Sequence, residues 1–393
     1  MSGRRDKPSW QAAGGLADAA GPLLTPDEAG TVIPLARALK GRGARSNRAG
    51  RYEAQHVEAA DDGWGILDEL AAQSIATEVR EETARRIIAR NNSPDVPFSH
   101  SINPYRGCEH GCIYCFARPG HAHLGLSPGL DFETKLTAKV NAPQLLRAEL
   151  AAPGWRVTPI GIGAYTDAYQ PIERRYRLTR RLLEVAERFR QPVNLITKSA
   201  LILRDLDLLT RLARRRLVRV AVSITTLDHR LARALEPRAA TPARRLRVIH
   251  DLAAANVPVA VMVAPVIPGL TDHELERILS RAHAAGAKEA GYVMLRLPLE
   301  ISGLFREWLN IHAPGRARRV MKLVQGMRGG RDNDSRFGAR MRGVGPYAWL
   351  IGRRFELTCR RLGLNARRAR LDTAAFRVPP DDPDQPPLPG LLD

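Results

Sequence analysis

Three of the four cysteines in this chain fall within eight residues, in the segment Asn103-Pro-Tyr-Arg-Gly-Cys108-Glu-His-Gly-Cys112-Ile-Tyr-Cys115. A C-x3-C-x2-C spacing on one loop offers three thiolates to a metal. An iron–sulfur cubane has four irons, so three protein sulfurs leave one iron without a protein ligand, free to bind a small molecule. A structural zinc ion needs four closed ligands, and His110, His121 or His123 could supply the last. A redox disulfide between Cys112 and Cys115 is a third reading, but it leaves Cys108 without a role. Cysteines this few and this clustered do not make a disulfide scaffold.

The elements that would carry such a loop are legible around it. Short β-branched or apolar runs alternate with amphipathic stretches: Pro159 to Gly163 then Arg174 to Phe189, Val193 to Thr197 then Leu203 to Arg214, Val218 to Thr225 then Thr241 to Ala254. Val257 to Val263, Asp272 to Ala284 and Ala290 to Leu295 continue the series. This alternation predicts βαβ units and a parallel sheet. With the stretch that leads into the cysteines as the first strand, about six strands result, which fits an α/β fold with an open or partly closed TIM-like barrel. A doubly wound sheet is the competing architecture. In either, functional side chains belong at the C-terminal ends of the strands.

The cysteine spacing, with aromatic Tyr114 before the third cysteine, resembles the C-x3-C-x-Φ-C signature of radical S-adenosylmethionine (SAM) enzymes. The resemblance implies a partial (β/α)6 barrel holding a 4Fe–4S cluster on Cys108, Cys112 and Cys115. In that family the amino and carboxylate groups of SAM chelate the open iron. A low-potential electron, from a flavodoxin- or ferredoxin-type donor, then cleaves SAM to methionine and a 5′-deoxyadenosyl radical. The cofactors carry the hard chemistry while the protein positions them and excludes water and oxygen.

The other strand ends extend the resemblance. Thr166 and Asp167, after the second strand, stand where the family binds the SAM amino group. Lys198, after the third, is the candidate for the SAM carboxylate, and Ser223, ending the fourth, for a further hydroxyl contact. Arg238, in Glu236-Pro-Arg238, is placed for a carboxylate contact. Tyr114 is expected beside adenine and Tyr165 facing the substrate.

Asn103 to Arg118 together with Thr166 to Glu173 looks most like the spore photolyase-like branch, over about residues 98 to 300. Two departures stand out. The branch's repair enzymes carry a hydrogen-donating cysteine two positions before the Ser/Thr-Asp pair, where this chain has Ala164, and a tyrosine where it has Phe116. The remaining thiol, Cys359, has two readings: a radical relay or donor folded over the barrel mouth, or a buried structural thiol. The resemblance leaves the class open between a lyase and a modifying transferase, acting on DNA, RNA or a nucleic-acid-bound protein. A zinc-stabilised, non-catalytic nucleic-acid-binding protein is the alternative.

Composition bears on partners rather than fold. A formal net charge of +20 favours polyanions through phosphate neutralisation and counterion release. From Arg316 to Arg370 there are fifteen Arg and one Lys against Asp332, Asp334 and Glu356, with Phe337, Tyr347, Trp349 and Phe355 between them. Guanidinium planes beside aromatics suit phosphate contact and base stacking. The organisation expected is a flexible basic arm over 1–75, a lead-in over 76–97, the barrel over 98–300, a helical Arg-rich module over 301–375 and a disordered tail over 376–393. Neither a secretory signal nor a membrane-spanning apolar run is apparent, which predicts a cytoplasmic protein.

Overall fold

The computed structural model describes residues 41–52 and 75–380; most of the expected arm, and residues 381–393 of the expected tail, lie outside them. Six parallel strands form the main sheet: β1 (His100–Ile102), β2 (Ile160–Ile162), β3 (Val193–Thr197), β4 (Val218–Ser223), β5 (Val259–Val266) and β6 (Glu289–Met294). Their spatial order follows the sequence, with the strand Ile88–Arg90 added antiparallel to β1 at the edge. Sequential order rules out the doubly wound alternative, which needs a point where the order reverses. Right-handed crossovers between sequential strands put the crossover helices on one face, and the sheet curls away from them into a partial barrel.

The strands read as near-continuous β-branched runs because both faces are covered: Val218, Val220 and Val222 of β4 are wholly buried. The crossover helices are amphipathic. In α1 (Ala142–Ala151), Leu146 and Leu150 face inward, and in α2 (Leu178–Phe189) Leu182, Leu183, Ala186 and Phe189 do so while Arg181 and Glu184 are exposed. Helices α3 (Leu206–Arg214), α4 (Pro242–Ala254) and α5 (Leu275–Ala284) complete the outer layer. Thr241 caps α4, its hydroxyl accepting from Arg244 N–H at 3.4 Å, with Pro242 at the first helical position.

After β6 the chain is helical, as the sequence predicts. Helices α6 (Ile301–His312) and α7 (Pro314–Gly326) bury Trp308, Phe305 and Val320 against Ile113, Leu235 and Ile267 beside the cysteine loop. Helix α8 (Pro346–Leu362) packs on α5 and β6 through Ile351, Phe355 and Cys359. The Arg-rich module is therefore continuous with the core. Beyond α8 the chain crosses the strand-start end of the barrel: Asn365 bonds to Ala290 N–H (2.9 Å), and Phe376 packs on Phe189 with ring centroids 6.3 Å apart. Among the described residues no helix is long and apolar enough to cross a membrane.

One stretch of the expected flexible arm is instead built into the fold. Gly43 and Ala44 donate their amide N–H groups to the Glu133 carboxylate at 2.9 and 2.8 Å, and Arg42 donates to Glu133 O at 2.8 Å. A Gly- and Arg-rich stretch without periodicity reads as loop, but the buried carboxylate captures two backbone donors and the segment becomes a strap.

Candidate active site

The cysteine loop follows β1 at the C-terminal end of the strands. Cys108 N–H donates to Phe132 O (2.9 Å), Gly111 N–H to Cys108 O (3.3 Å) and Cys115 N–H to Cys112 O (3.2 Å), so the three cysteines sit on successive tight turns. Cys108 and Cys112 are buried, Cys115 is half-buried, and none is in a disulfide. Burial pushes the Cys112 thiol up to about 12, with Glu236 adding to it, and pushes Cys108 well above the usual thiol range.

Arg118, three residues past Cys115, is fully buried beneath this loop. Its Nε donates to Cys112 O (2.9 Å), its Nη1 to Pro128 O (3.0 Å) and Gly129 O (2.9 Å), and its Nη2 to Glu133 Oε1 (2.5 Å). Glu133, also fully buried, is the carboxylate that anchors the strap. The strap passes so close that a Cβ at Gly43 would lie 1.9 Å from Gly111 O. Sequence reasoning missed this pair, since nothing in a spacing of fifteen residues signals it.

Above the cysteines, Tyr114 OH donates to Glu236, lies 3.1 Å from Thr225 Oγ1, and Arg245 Nη2 donates to the same carboxylate. Burial opposes the charge on Glu236, yet Arg245, Lys198 and the bond from Tyr114 hold its carboxyl at about 2. Lys198 Nζ lies 5.8 Å from the centre of the Tyr114 ring and acts electrostatically on Cys112 and Cys115. Ser223 closes β4, buried, its carbonyl accepting from Arg245 Nη1 at 3.0 Å. Tyr114 and Lys198 thus lie beside the cysteines, and Ser223 is tied to the same group through Arg245.

Other sequence candidates are occupied by the chain itself. Asp167 accepts from Tyr169 N–H (2.9 Å), Thr197 OH (2.8 Å) and Lys198 N–H (2.8 Å), and lies 3.3 Å from His110 Nδ1. Burial works against its charge, but His110 and these donors keep it at about 2. Thr166 gives its hydroxyl to Tyr105 O at 2.8 Å. Arg238 turns away from the cysteines to pair with Glu109 at 3.0 Å; the carboxylate two residues earlier, Glu236, is the one that faces the site. Tyr165 is 42% exposed at the mouth, its OH donating to Ala117 O (3.1 Å) and its ring edge-on to Phe116 at 5.9 Å. Arg296, beyond β6 and not singled out in the sequence, lies over Phe116 at 4.6 Å.

Cys359 is a correction. It is buried in the main core on α8, near the point where Asn365 bonds to Lys288 O and Ala290 at the start of β6, the end of the barrel opposite the cysteine loop. The length of α8 and its antiparallel run against the strands carry this thiol away from the mouth, so it does not serve as a relay there. For the zinc reading, each of the three histidines offered as a fourth ligand bonds elsewhere. His110 is paired with Asp167, His121 Nε2 bonds to Lys135 O (2.9 Å) and His123 Nε2 lies 3.4 Å from Arg51 Nη2.

A family model described as the radical SAM superfamily matches residues 102–282. An uncharacterized protein of Mycobacterium tuberculosis is 39% identical over 236 residues, spanning 60% of this chain and 69% of that one. The chain belongs to the radical SAM superfamily. An uncharacterized protein of Methanocaldococcus jannaschii is 28% identical over 173 residues, 44% of this chain and 62% of that one. Among solved structures, spore photoproduct lyase complexed with dinucleoside spore photoproduct superposes with a TM-score of 0.53 at 14% identity, covering 73% of this chain and 80% of that one. That likeness is one of fold. Radical SAM enzymes use a 4Fe–4S cluster and SAM. The donor set here fits: three thiols on one loop, none in a disulfide, with the soft sulfur ligands that iron–sulfur clusters take.

Proposed function

We propose that Cys108, Cys112 and Cys115 bind three irons of the cluster, leaving the fourth to SAM, and that the enzyme modifies a nucleic-acid substrate. The observation that carries the first part is three free cysteines on one loop after the first barrel strand, with Lys198 Nζ lying 5.8 Å from the centre of the Tyr114 ring between the last two of them. Bound there, the cluster and SAM supply the electron and the radical precursor. The chain's residues do the positioning. Lys198 offers its ammonium to the SAM carboxylate, and Asp167 holds the Lys198 backbone in place from below. Glu236 and Thr225 fix the Tyr114 ring for the adenine side, and Ser223, at the end of β4, offers a further hydroxyl to SAM. Tyr165, Phe116 and Arg296 line the side from which substrate approaches.

Support for nucleic acid comes from the net charge of +20 and from the fold shared with a protein described in complex with a dinucleoside. All four cysteines are accounted for, three at the mouth and Cys359 at the far end, so no thiol is placed to return a hydrogen atom. That favours a modifying enzyme over a donor-dependent repair lyase. Reduction is assigned to a flavodoxin- or ferredoxin-type donor. Anaerobically reconstituted protein is expected to bind about four irons per chain. Alanine at all three loop cysteines should abolish that iron and with it SAM cleavage; a triple variant that still made 5′-deoxyadenosine would sink the assignment.

A further inference from the structure

Beside the cysteine loop, with His110 in its wall, lies a cleft of about 570 Å³ lined by Arg174, Arg204, Arg238 and Arg244 with the hydroxyls of Ser199 and Thr241. Two of the four guanidinium groups are committed. Arg204 pairs with Glu173 (2.7 Å) and Asp205 (2.9 Å), and Arg238 with Glu109 (3.0 Å). Arg174 and Arg244 are exposed and have no carboxylate partner among the described residues. The cleft therefore holds two uncompensated cations in a concave site, where like charges raise each other's energy until an anion enters. The N-terminus of α4, at Thr241, opens on the same cleft and adds its dipole to the attraction for negative charge.

Planar guanidinium groups with hydroxyl donors recognise phosphate oxygens. The position matters as much as the chemistry. His110 lines the cleft and also pairs with Asp167 at 3.3 Å, and Ser199 directly follows Lys198. One layer of residues thus separates this basic cleft from the cysteines.

We propose that this cleft is a phosphate-binding subsite in which Arg174 and Arg244 hold the backbone of a nucleic-acid strand next to the radical site. The source of the phosphate rests on the nucleic-acid reading given above; the cleft itself stands on its own geometry. Phosphate held here registers the strand, so that a neighbouring nucleotide reaches the barrel mouth.

The test is fluorescence anisotropy with a labelled single-stranded oligonucleotide of about twelve nucleotides, using the full reconstituted protein over a salt series. Arg174→Ala with Arg244→Ala is expected to weaken binding about tenfold and to lower the slope of log affinity against log salt by about 1.4, two contacts at about 0.7 each for a single strand. Iron content and substrate-free SAM cleavage should not change, because neither residue touches the cysteine loop. Arg360→Ala with Arg361→Ala, at the opposite end of the barrel, is the control and should shift affinity less. Wild-type binding of the oligonucleotide matched by the Arg174/Arg244 variant at every salt would overturn the cleft and leave the nucleic-acid reading standing. Calorimetry with inorganic pyrophosphate separates the sources: pyrophosphate bound by wild type and lost in the variant, with no oligonucleotide binding, keeps the phosphate site but overturns a nucleic-acid strand as its occupant. Binding of neither probe overturns both.

Discussion

Arg118 and Glu133 are both wholly inaccessible to solvent, and between them they bond to the cysteine loop, the Pro128–Gly129 turn and the strap. Removing one partner of a buried ion pair strands the other charge, so Arg118→Ala should cost about 3–5 kcal/mol, read from urea unfolding. Arg118→Lys should not restore it, because an ammonium cannot reach the four acceptors that the guanidinium fork spans. An Arg118→Ala protein as stable as wild type would show the pair to be incidental. At this scale the cysteines, Tyr114 and Lys198 were legible, because ligand spacing and strand-end position are local. Arg118–Glu133 and Glu236–Arg245 were not, since buried pairs formed by folding leave no period in the chain. Asp167 was marked by its position at a strand end, and its bonds in the fold run to Tyr169, Thr197, Lys198 and His110.

At the scale of elements, β-branched runs and amphipathic periods gave β2 to β6 and the helices α2 to α5 to within a few residues at each end, while α1 (Ala142–Ala151) went unread. Val193–Thr197 coincides with β3, whereas the module over 301–375 read only as helical, because periodicity gives a helix its type but not its direction. Direction decided the fate of Cys359. Cys359→Ala is expected to keep full cluster content and 5′-deoxyadenosine formation while lowering stability by about 1 kcal/mol through the lost core contact; loss of SAM cleavage with the cluster intact would restore a redox role to this thiol. The strap makes the opposite prediction. Gly43→Ala places a methyl against Gly111 O, so the strap or the cysteine loop must move, and iron content after reconstitution should fall. Full cluster loading in that variant would mean the strap adjusts without disturbing the loop.

Across the whole molecule, the two ends of the barrel are closed differently. Residues 41–52 cross the cysteine end, and the segment after α8 crosses the strand-start end by way of Asn365 and Phe376. The large positive charge is likewise divided. In the Arg-rich module Arg354 pairs with Glu276 at 2.7 Å, Arg340 with Asp95 at 2.5 Å, and Arg328 is buried against the Leu295 carbonyl at 2.9 Å, so part of that charge holds the fold together. Composition alone could not separate structural from free arginines; the cations beside the cysteine loop are the ones placed to act on a substrate.

The central claim is that three loop cysteines make this chain a SAM-cleaving enzyme. It is tested most directly by anaerobic reconstitution with iron and sulfide, chemical reduction in the presence of SAM, and detection of 5′-deoxyadenosine by mass spectrometry. The account predicts that the product forms with wild-type protein and vanishes with Cys112→Ala. Reconstituted, reduced protein that carries its cluster yet yields no 5′-deoxyadenosine, or a Cys112→Ala variant that yields as much as wild type, would contradict it.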